Sequence, residues 1–333
     1  MMHRHAKRCW TIAAFAAVSL VVLGIAPLVG PEFISPRTLF AGGENKELGI
    51  LLDFRLPRIA TAFVAGSVLS LSGMAFQAMF RNPLATPYTL GVASGASLGA
   101  AFYIQTGLAF SLLGISGLTL SGFVGAALSL SLVYGLTRLR GGFSTATLLL
   151  AGVAISFSFS SLILFVQYIA GLQHSFRIVR RLMGSLDVVG YGAVAEVLPF
   201  ALLGVGVLLF YTRDLNLLST GEDLAASRGT DVASTKKLLF FTVSLMVGGV
   251  VAAFGPIGFV GMMVPHTCRL LVGHDHRYLT PTVLLGGGTF LVACDAISRT
   301  LVAPAEMPVG VVTAVLGGPF FLLLLVSGPT RSR

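Results

Sequence analysis

Long apolar runs alternate with short polar breaks along most of the chain. Each run holds roughly 20 residues, which is the length that an α-helix needs to cross the hydrocarbon core of a bilayer. The pattern predicts an all-α, polytopic membrane protein with about ten transmembrane helices in one domain that covers residues 1–333. The expected spans lie at about 10–29, 59–80, 90–105, 111–136, 145–170, 194–211, 238–254, 257–272, 280–297 and a last one that ends near 326.

Small side chains dominate the second expected span. Ala65, Gly66, Ser70 and Gly73 all fall in this run. Small residues let helix backbones approach each other closely in lipid. We therefore expect this helix to lie at the centre of the bundle, in contact with other helices more than with lipid.

One stretch between apolar runs is densely charged. Residues 213–237 follow the sixth expected span and include arginines, lysines, aspartates and a glutamate in close succession. A charged and structured stretch between two spans is typical of a loop on which another protein docks. An ordinary solvated loop is the alternative.

Helix signals within residues 213–237 predict that the stretch is built from short helices. Ser219 lies three residues before Glu222, which is the spacing of a capping box. Gly229 is placed to end the helix that follows. Thr230 or Asp231 can then cap the next helix.

The composition agrees with a membrane location. The chain is 55% hydrophobic and 11% charged, with a mean hydropathy of +0.90, which a soluble domain of this length would not show. Its net charge of +9 does not predict a nucleic-acid partner, because many of the cations lie at the chain ends and between the apolar runs. The three cysteines are far apart, so their spacing predicts neither a disulfide framework nor a zinc site.

The distribution of cations sets the expected orientation. Ten spans place both chain ends on one side of the membrane, and the segments on that side hold more arginine and lysine than the segments on the other side. We therefore expect a multi-pass protein of the cytoplasmic (inner) membrane with both termini in the cytoplasm. The first apolar run is long and many more follow it, so we expect a retained span in preference to a cleaved signal peptide.

No pattern in the sequence predicts a catalytic site. The chain lacks a Walker-type phosphate loop, a His-Glu metal motif and a nucleophile elbow. We therefore expect a protein that is not an enzyme, with no catalytic residues, no bound metal and no cofactor. Any ATP would be used by a separate subunit.

Breaks rich in Gly and Pro interrupt the apolar runs at 82–83, 255–258 and 307–310. Such breaks fit a wide translocation path, and ordinary kinks that aid packing are the alternative. A stand-alone secondary transporter would be expected to carry ionisable residues deep in its spans. Asp295 is the main mid-span acid and Glu196 lies near a span end, so the sequence favours that class only weakly.

Several motifs occur in a fixed order between about residues 51 and 325. They are Arg55-Leu56-Pro57-Arg58, Asn82-Pro83-Leu84-Ala85-Thr86-Pro87, Leu148 to Gly152, Met183-Gly184-Ser185-Leu186, Gly221-Glu222, Gly255 to Gly261, Val264-Pro265-His266, Asp275-His276-Arg277, Asp295 to Arg299 and Pro308 to Thr313. In these motifs the chain resembles the FecCD-type permease family of iron-siderophore, haem and cobalamin ABC importers. The resemblance implies the type II importer permease fold.

The resemblance also implies an assembly. Permeases of this family form homodimers in the lipid bilayer, with the translocation path at the dimer interface, and two ABC ATPase subunits dock on the loop between the sixth and seventh spans. In this sequence that loop is about 213–237. The candidate coupling residues are Gly221, Glu222, Asp223, Arg228 and Gly229.

External arginines in this family receive acidic residues of a periplasmic or extracellular substrate-binding protein. Arg55, Arg58 and Arg299 match those positions, and a planar guanidinium suits bidentate binding of a carboxylate. Arginines that snorkel to the outer membrane interface are the alternative.

The resemblance places an inner gate at Leu84 and at Ser144 and Thr145, where plain helix packing is an equally good interpretation.

The amphipathic segment 173–187 carries Arg177, Arg180 and Arg181, which would line a basic outer vestibule. A basic vestibule favours an anionic cargo, so we expect an iron-siderophore chelate. Haem and cobalamin remain alternatives. His174 is either a haem ligand or a polar lining residue.

Overall fold

The computed structural model describes residues 2–30, 46–112, 114–139 and 145–327, and within these ranges the chain is a bundle of helices. In chain order the helices are α1 (Met2–Ile25), α2 (Lys46–Gly49), α3 (Leu56–Phe80), α4 (Val92–Thr106), α5 (Gly117–Leu139), α6 (Thr145–Ile169), α7 (Leu172–Leu182), α8 (Gly192–Phe210), α9 (Thr212–Thr220), α10 (Glu222–Ser227), α11 (Val232–Phe254), α12 (Val260–Val272), α13 (His276–Thr300) and α14 (Val309–Ser327). A π-helical segment, Ile50–Arg55, joins α2 to α3, and 3₁₀ turns occupy Ala26–Leu28 and Pro87–Leu90.

Each of the ten expected spans corresponds to a helix, so the predicted all-α membrane fold is confirmed. Seven of the described helical segments are long and apolar enough to cross a membrane by length and composition. The remaining three expected spans are the shorter helices α4, α12 and α14. The apolar part of α14 runs from Val309 to Leu324.

The predicted start of the fourth span is wrong by about six residues. Two short strands, β1 (Ser111–Leu112) and β2 (Ile115–Ser116), pair antiparallel, and α5 begins only at Gly117. Gly114 lies in the turn with φ +80, a conformation that glycine adopts without steric cost. The paired strands therefore delay the start of the helix, although the residues around the turn are hydrophobic.

Helix α3 lies at the centre of the bundle, as its small residues predict. In the apolar stretch that ends at Phe80, 83% of the residues are buried, against 17% in the stretch that includes α1. Helices α8, α11, α12 and α13 all pack against α3.

Glycine allows the closest of these approaches, where α3 crosses α12. A Cβ atom added to Gly73 would overlap the backbone carbonyl of Gly261. The two backbones therefore touch directly, which is the packing mode of small residues in lipid.

We expect Gly73→Ala to destabilise the folded permease by about 1–3 kcal/mol, because the new methyl group must displace helix backbone. Gly206→Ala is the matched control, since Gly206 lies inside α8 with open space around its Cβ position. There the exchange should be neutral or should stabilise the helix by about 0.5–1 kcal/mol. Thermal unfolding of both variants in detergent measures the difference, and equal midpoints would refute the close crossing.

The break at 255–259 is largely covered by protein, and several of its backbone groups are hydrogen-bonded. The hydroxyl of Tyr88 donates to the carbonyl of Ile257 at 2.6 Å and accepts from its N–H at 2.9 Å. The N–H of Ser185 donates to the carbonyl of Phe254 at 2.9 Å, which helps to close the end of α11. Irregular backbone at membrane depth is tolerated under these conditions, so the break is at least a packing device.

The two ends of the bundle carry different clusters of charged side chains. The N-terminal face carries Arg8, Asn216 and Asp275, which are joined by an ion pair of 3.8 Å and a hydrogen bond of 2.9 Å. The opposite face carries Arg58 and Glu306, which are paired at 2.6 Å. The charged stretch 213–237 belongs to the N-terminal face.

Candidate functional site

The charged stretch 213–237 forms two short helices, α9 and α10, and the first turn of α11, as predicted. Gly229 follows the end of α10 with φ +86, which confirms its role as a helix terminator. Asp231 caps α11, because its Oδ1 accepts from the backbone N–H of Ser234 at 3.1 Å.

The predicted capping box at Ser219 is wrong. Ser219 lies in the last turn of α9, where its hydroxyl donates to the carbonyl of Asn216 at 2.7 Å. The N-cap of α10 is Gly221, which has no capping side chain and adopts φ 141 and ψ 151. This conformation is essentially restricted to glycine. The sharp turn at Gly221 keeps Ser219 within the preceding helix.

An ion pair between a buried lysine and an exposed glutamate braces the stretch against the bundle. Lys236 is only 1% exposed, and its Nζ lies 2.6 Å from Oε1 of Glu222 at the start of α10. A second link joins the two ends of the stretch, where the hydroxyl of Thr230 donates to Asp214 at 2.9 Å. These links hold α10 rigidly, which a docking element needs in order to transmit a movement.

The outer side of α10 remains available to a partner. Asp223, Leu224 and Arg228 are exposed there. The structure therefore divides the five candidate coupling residues. Glu222 braces the helix, Gly221 and Gly229 shape its ends, and the other two face outward. Their part in coupling stays a prediction.

The sequence analysis did not predict the two hydrogen bonds by which Asn216 anchors the stretch to the start of α13. The side chain of Asn216 donates to Asp275 at 2.9 Å and accepts from the backbone N–H of His276 at 2.8 Å. Partial burial raises the pKa of Asp275, but hydrogen bonds from Arg277 and Asn216 and the charges of Arg277 and Arg8 outweigh it, so the net pKa lies below the usual range. In the sequence, the one feature that pointed to this contact was the motif Asp275-His276-Arg277.

Two of the three residues of the predicted inner gate, Leu84 and Thr145, lie within the described part of the chain. Leu84 is exposed in the break after α3, where its N–H donates to the side chain of Asn82 at 2.9 Å. Thr145 is the first residue of α6. Ser144 lies outside the described residues. Closure of a path by these residues stays a prediction.

A cavity of about 920 Å³ lies at the opposite face. Its charged lining consists of four arginines and two acids, and the rest of its lining is apolar. The charged residues are Arg55, Arg58, Arg180, Arg299, Asp187 and Glu306. The apolar residues are Ile50, Phe54, Phe176, Val179, Met183, Val188, Val189 and Pro308. A cavity of this kind suits a partly apolar ligand with negative charge.

An ion-pair cluster forms the floor of this cavity. Arg58 Nε donates to Oδ1 of the fully buried Asp295 at 2.9 Å, and Arg58 NH1 pairs with Glu306 at 2.6 Å. Arg299 Nε lies 3.1 Å from Oδ2 of the same aspartate. The mid-span acid noted in the sequence is therefore the centre of a buried charge network.

The three arginines expected to receive a binding protein are engaged inside the chain. Arg55, Arg58 and Arg299 are 6%, 9% and 3% exposed. Arg55 donates to the carbonyl of Pro27 at 2.8 Å, and Arg299 donates to that of Val29 at 3.2 Å. Their docking role stays a prediction, and the structure gives each of them an internal partner.

The arginines of α7 point in different directions. Arg177 and Arg180 are exposed, and of the three only Arg180 lines the cavity, where it pairs with Asp187 at 2.8 Å. Arg181 turns inward and donates to the carbonyl of Ala252. It is therefore a packing residue in this structure, and the expectation that all three line the vestibule holds for Arg180 alone.

The charge balance at this rim depends on Asp187. Partial burial raises the pKa of Asp187, but hydrogen bonds from Ser185 and Arg180 and the charges of Arg58 and Arg180 outweigh it and bring the pKa below the usual range. The carboxylate therefore stays ionised and holds Arg180 over the cavity.

Comparisons with known proteins agree with these features. The sequence model of the FecCD transport family matches residues 16–327. The chain is 38% identical over 321 residues to the hemin transport system permease protein HmuU of Yersinia pestis, covering 94% of each protein. It is 40% identical over 293 residues to the cobalamin import system permease protein BtuC of Halobacterium salinarum, covering 85% of this chain and 75% of that protein.

A solved structure shares the whole architecture. It is described as an inward-facing conformation of a metal-chelate type ABC transporter, and it superposes with a TM-score of 0.85 at 32% identity, covering 95% of this chain and 98% of the other. The match of the family model across nearly the whole chain and the likeness of the relatives and the fold lead to one conclusion. The chain belongs to the FecCD transport family and has the fold of a type II ABC importer permease.

Proposed function

We propose that this chain is the transmembrane permease subunit of a binding-protein-dependent ABC importer that moves an iron-siderophore chelate across the cytoplasmic membrane. The observation that carries the proposal is the pairing of two features at the two ends of one bundle. A rigid, charged docking stretch lies at the N-terminal face, and a basic cavity of about 920 Å³ lies at the opposite face. Two separate ATPase subunits would dock on the first, and a substrate-binding protein would deliver cargo to the second.

The orientation of the proposal follows from charge. Exposed cations such as Arg138, Arg213 and Arg228 lie at or near the N-terminal face, which the positive-inside rule assigns to the cytoplasm. Both termini would then be cytoplasmic. The opposite face has arginines too, but those of the cavity floor are paired with acids and carry little uncompensated charge.

A homodimer would complete the translocation path. Helix α6 exposes large apolar side chains, among them Leu150, Phe157 and Tyr168, and α14 exposes Leu322 and Leu323. Lipid covers such surfaces in a monomer, and a second copy of the chain would cover part of them in the assembly. The resemblance to the family favours the dimer.

The lining of the cavity supports a particular class of cargo. Its basic excess and its apolar walls favour a chelate with both negative charge and hydrophobic surface. Haem is the second candidate, because its propionates and ring would match the same lining and because the hemin permease of Yersinia pestis is 38% identical to this chain. Cobalamin remains a third. The ligand that co-purifies with the cognate binding protein identifies the cargo.

The ion-pair network weakens the case for a stand-alone secondary transporter. Ion coupling requires a carboxylate that can gain and lose its ion during transport. Asp295 is instead held between Arg58 and Arg299. The buried acid thus has a structural role, which suits a permease that is driven by ATP hydrolysis in a partner subunit.

We expect the double variant Arg177→Gln/Arg180→Gln to lower uptake of an anionic chelate by about tenfold at low ionic strength, because it removes two exposed cations of α7, one of which, Arg180, lines the cavity. The loss should shrink as salt screens the field. Arg138→Gln/Arg277→Gln removes the same charge at the N-terminal face, outside the stretch 213–237, and should leave the salt dependence of uptake unchanged. Equal effects of the two double variants, or a loss that salt does not reduce, would contradict a basic vestibule.

A further inference from the structure

A second cavity, of about 450 Å³, lies at the N-terminal face. It is enclosed by the end of α3, the break after it, α9, α12 and the turn that leads into α13. Its charged and titratable lining is entirely basic: Arg81, Arg269, His266, His274 and His276. No acidic side chain lines it among the residues that the structure describes. The permease function proposed above makes no use of this cavity.

His276 lines the cavity and carries an unused hydrogen-bonding atom. Its side chain is 2% exposed, and its Nδ1 lies 2.8 Å from Oδ1 of Asn216. That oxygen is an acceptor, because it also receives the backbone N–H of His276 while the amide nitrogen of Asn216 donates to Asp275. Nδ1 therefore carries the hydrogen, and Nε2 of the neutral ring is an acceptor. This buried Nε2 has no hydrogen-bond partner among the residues that the structure describes.

One arginine of the cavity, Arg269, is held in place by a neutral group. Arg269 donates to Oε1 of the buried Gln77, whose amide nitrogen in turn donates to the carbonyl of Gly261 at 3.1 Å. No acid pairs with Arg269 in the described part of the chain. The guanidinium of Arg81 reaches across to the docking stretch, since a Cβ on Gly221 would lie 3.8 Å from its NH1. Arg269 is thus oriented, and among the described residues neither arginine is paired with an acid.

A metal ion does not fit this arrangement. No three His, Cys, Asp or Glu side chains in the described ranges come close enough together to hold one. A metal would also lie beside two arginine cations. The lining favours an anion.

We propose that this cavity binds a hydrogen phosphate group. Its charged oxygens would accept from Arg81 and Arg269, and its remaining P–OH would donate to Nε2 of His276, which needs a donor. Sulfate is fully deprotonated near neutral pH and lacks that hydrogen, so the site should discriminate against it. The same chemistry is offered by free inorganic phosphate and by the phosphomonoester headgroup of phosphatidic acid. A bound group would join α3, α9 and the start of α13, and thereby stiffen the base of the docking stretch.

The test uses the full-length permease in phosphatidylcholine nanodiscs without added phosphate. Inorganic phosphate, sulfate and chloride are titrated at matched ionic strength, with the thermal unfolding midpoint and ³¹P line broadening as readouts. We expect saturable stabilisation by phosphate, with an affinity at least about tenfold higher than that for sulfate, the size expected for one lost hydrogen bond in a charged site.

Variants separate the site from general salt effects. Arg269→Gln should weaken phosphate binding by about tenfold or more, because it removes a charge-assisted contact. Arg277→Gln removes the same charge one residue from His276 but is exposed and outside the cavity, so it should bind phosphate normally. His276→Asn keeps a donor toward Asn216 and lacks the Nε2 acceptor. Sulfate and phosphate should then bind alike, a result that a purely structural role for His276 does not produce.

Nanodiscs that contain phosphatidic acid distinguish the two sources. If the headgroup is the natural ligand, these discs should stabilise the wild type but not Arg269→Gln, and free phosphate should add nothing further. If free phosphate is the ligand, it should act equally in both kinds of disc. The proposal is overturned if neither form gives a saturable effect, if sulfate matches phosphate in the wild type, or if Arg269→Gln and Arg277→Gln behave alike.

Discussion

Asp295→Asn is expected to destabilise the permease by about 3–5 kcal/mol, the cost of breaking a buried ion pair by removal of one partner. Asp295 is completely buried and lies between Arg58 and Arg299. Its neutralisation leaves Arg299, which is 3% exposed, without a carboxylate. The yield of folded protein in detergent and its unfolding midpoint should both fall sharply.

Two further variants show whether the loss comes from the unpaired arginine. Glu306→Gln removes the partly exposed acid of the same cluster and should cost no more than about 1 kcal/mol. Adding Arg299→Met to Asp295→Asn removes the stranded charge and should recover much of the lost stability, because apolar replacements of buried pairs are often neutral. If Asp295→Asn is as mild as Glu306→Gln, the cluster does not stabilise the bundle.

Glu222→Gln is expected to uncouple ATP hydrolysis from transport. It removes the carboxylate that braces α10 against the buried Lys236. The stretch should loosen at a cost of about 1–3 kcal/mol for the unsatisfied charge. ATP-dependent uptake and stimulation of the ATPase should fall by about tenfold or more, since a coupling free energy of 1–3 kcal/mol corresponds to that range.

A second substitution separates coupling from scaffolding. Glu222→Gln/Lys236→Met has no stranded charge and should regain the unfolding midpoint of the wild type, while uptake stays low because the brace is still absent. Recovery of uptake together with stability would mean that the pair serves folding alone. Loss of membrane insertion in Glu222→Gln would also assign the stretch to scaffold.

Features that depend on residues close together in sequence were largely predictable. The ten apolar runs locate the spans because length and hydropathy are local properties. The small residues of α3 predict its central place. Gly229 and Asp231 predict a helix end and a helix cap because both act on backbone groups within a few residues.

Features that depend on distant contacts were not predictable from local pattern. Arg58 and Asp295 are 237 residues apart, and each alone is typical of a surface arginine or of a mid-span acid. The prediction of a capping box at Ser219 was wrong because the residue spacing does not show that the backbone turns sharply at Gly221. The anchor at Asn216 is one polar residue among many, and only its contacts with Asp275 and His276 reveal it.

The most direct test of the account is transport by the reconstituted assembly. The permease is placed in proteoliposomes with its cognate ATPase subunit, and the binding protein loaded with its co-purified chelate is supplied on the side of the opposite face. We predict uptake that requires both ATP and the binding protein and that Glu222→Gln lowers by about tenfold or more without loss of folded permease. Uptake that continues without ATP and follows an ion gradient would contradict the account.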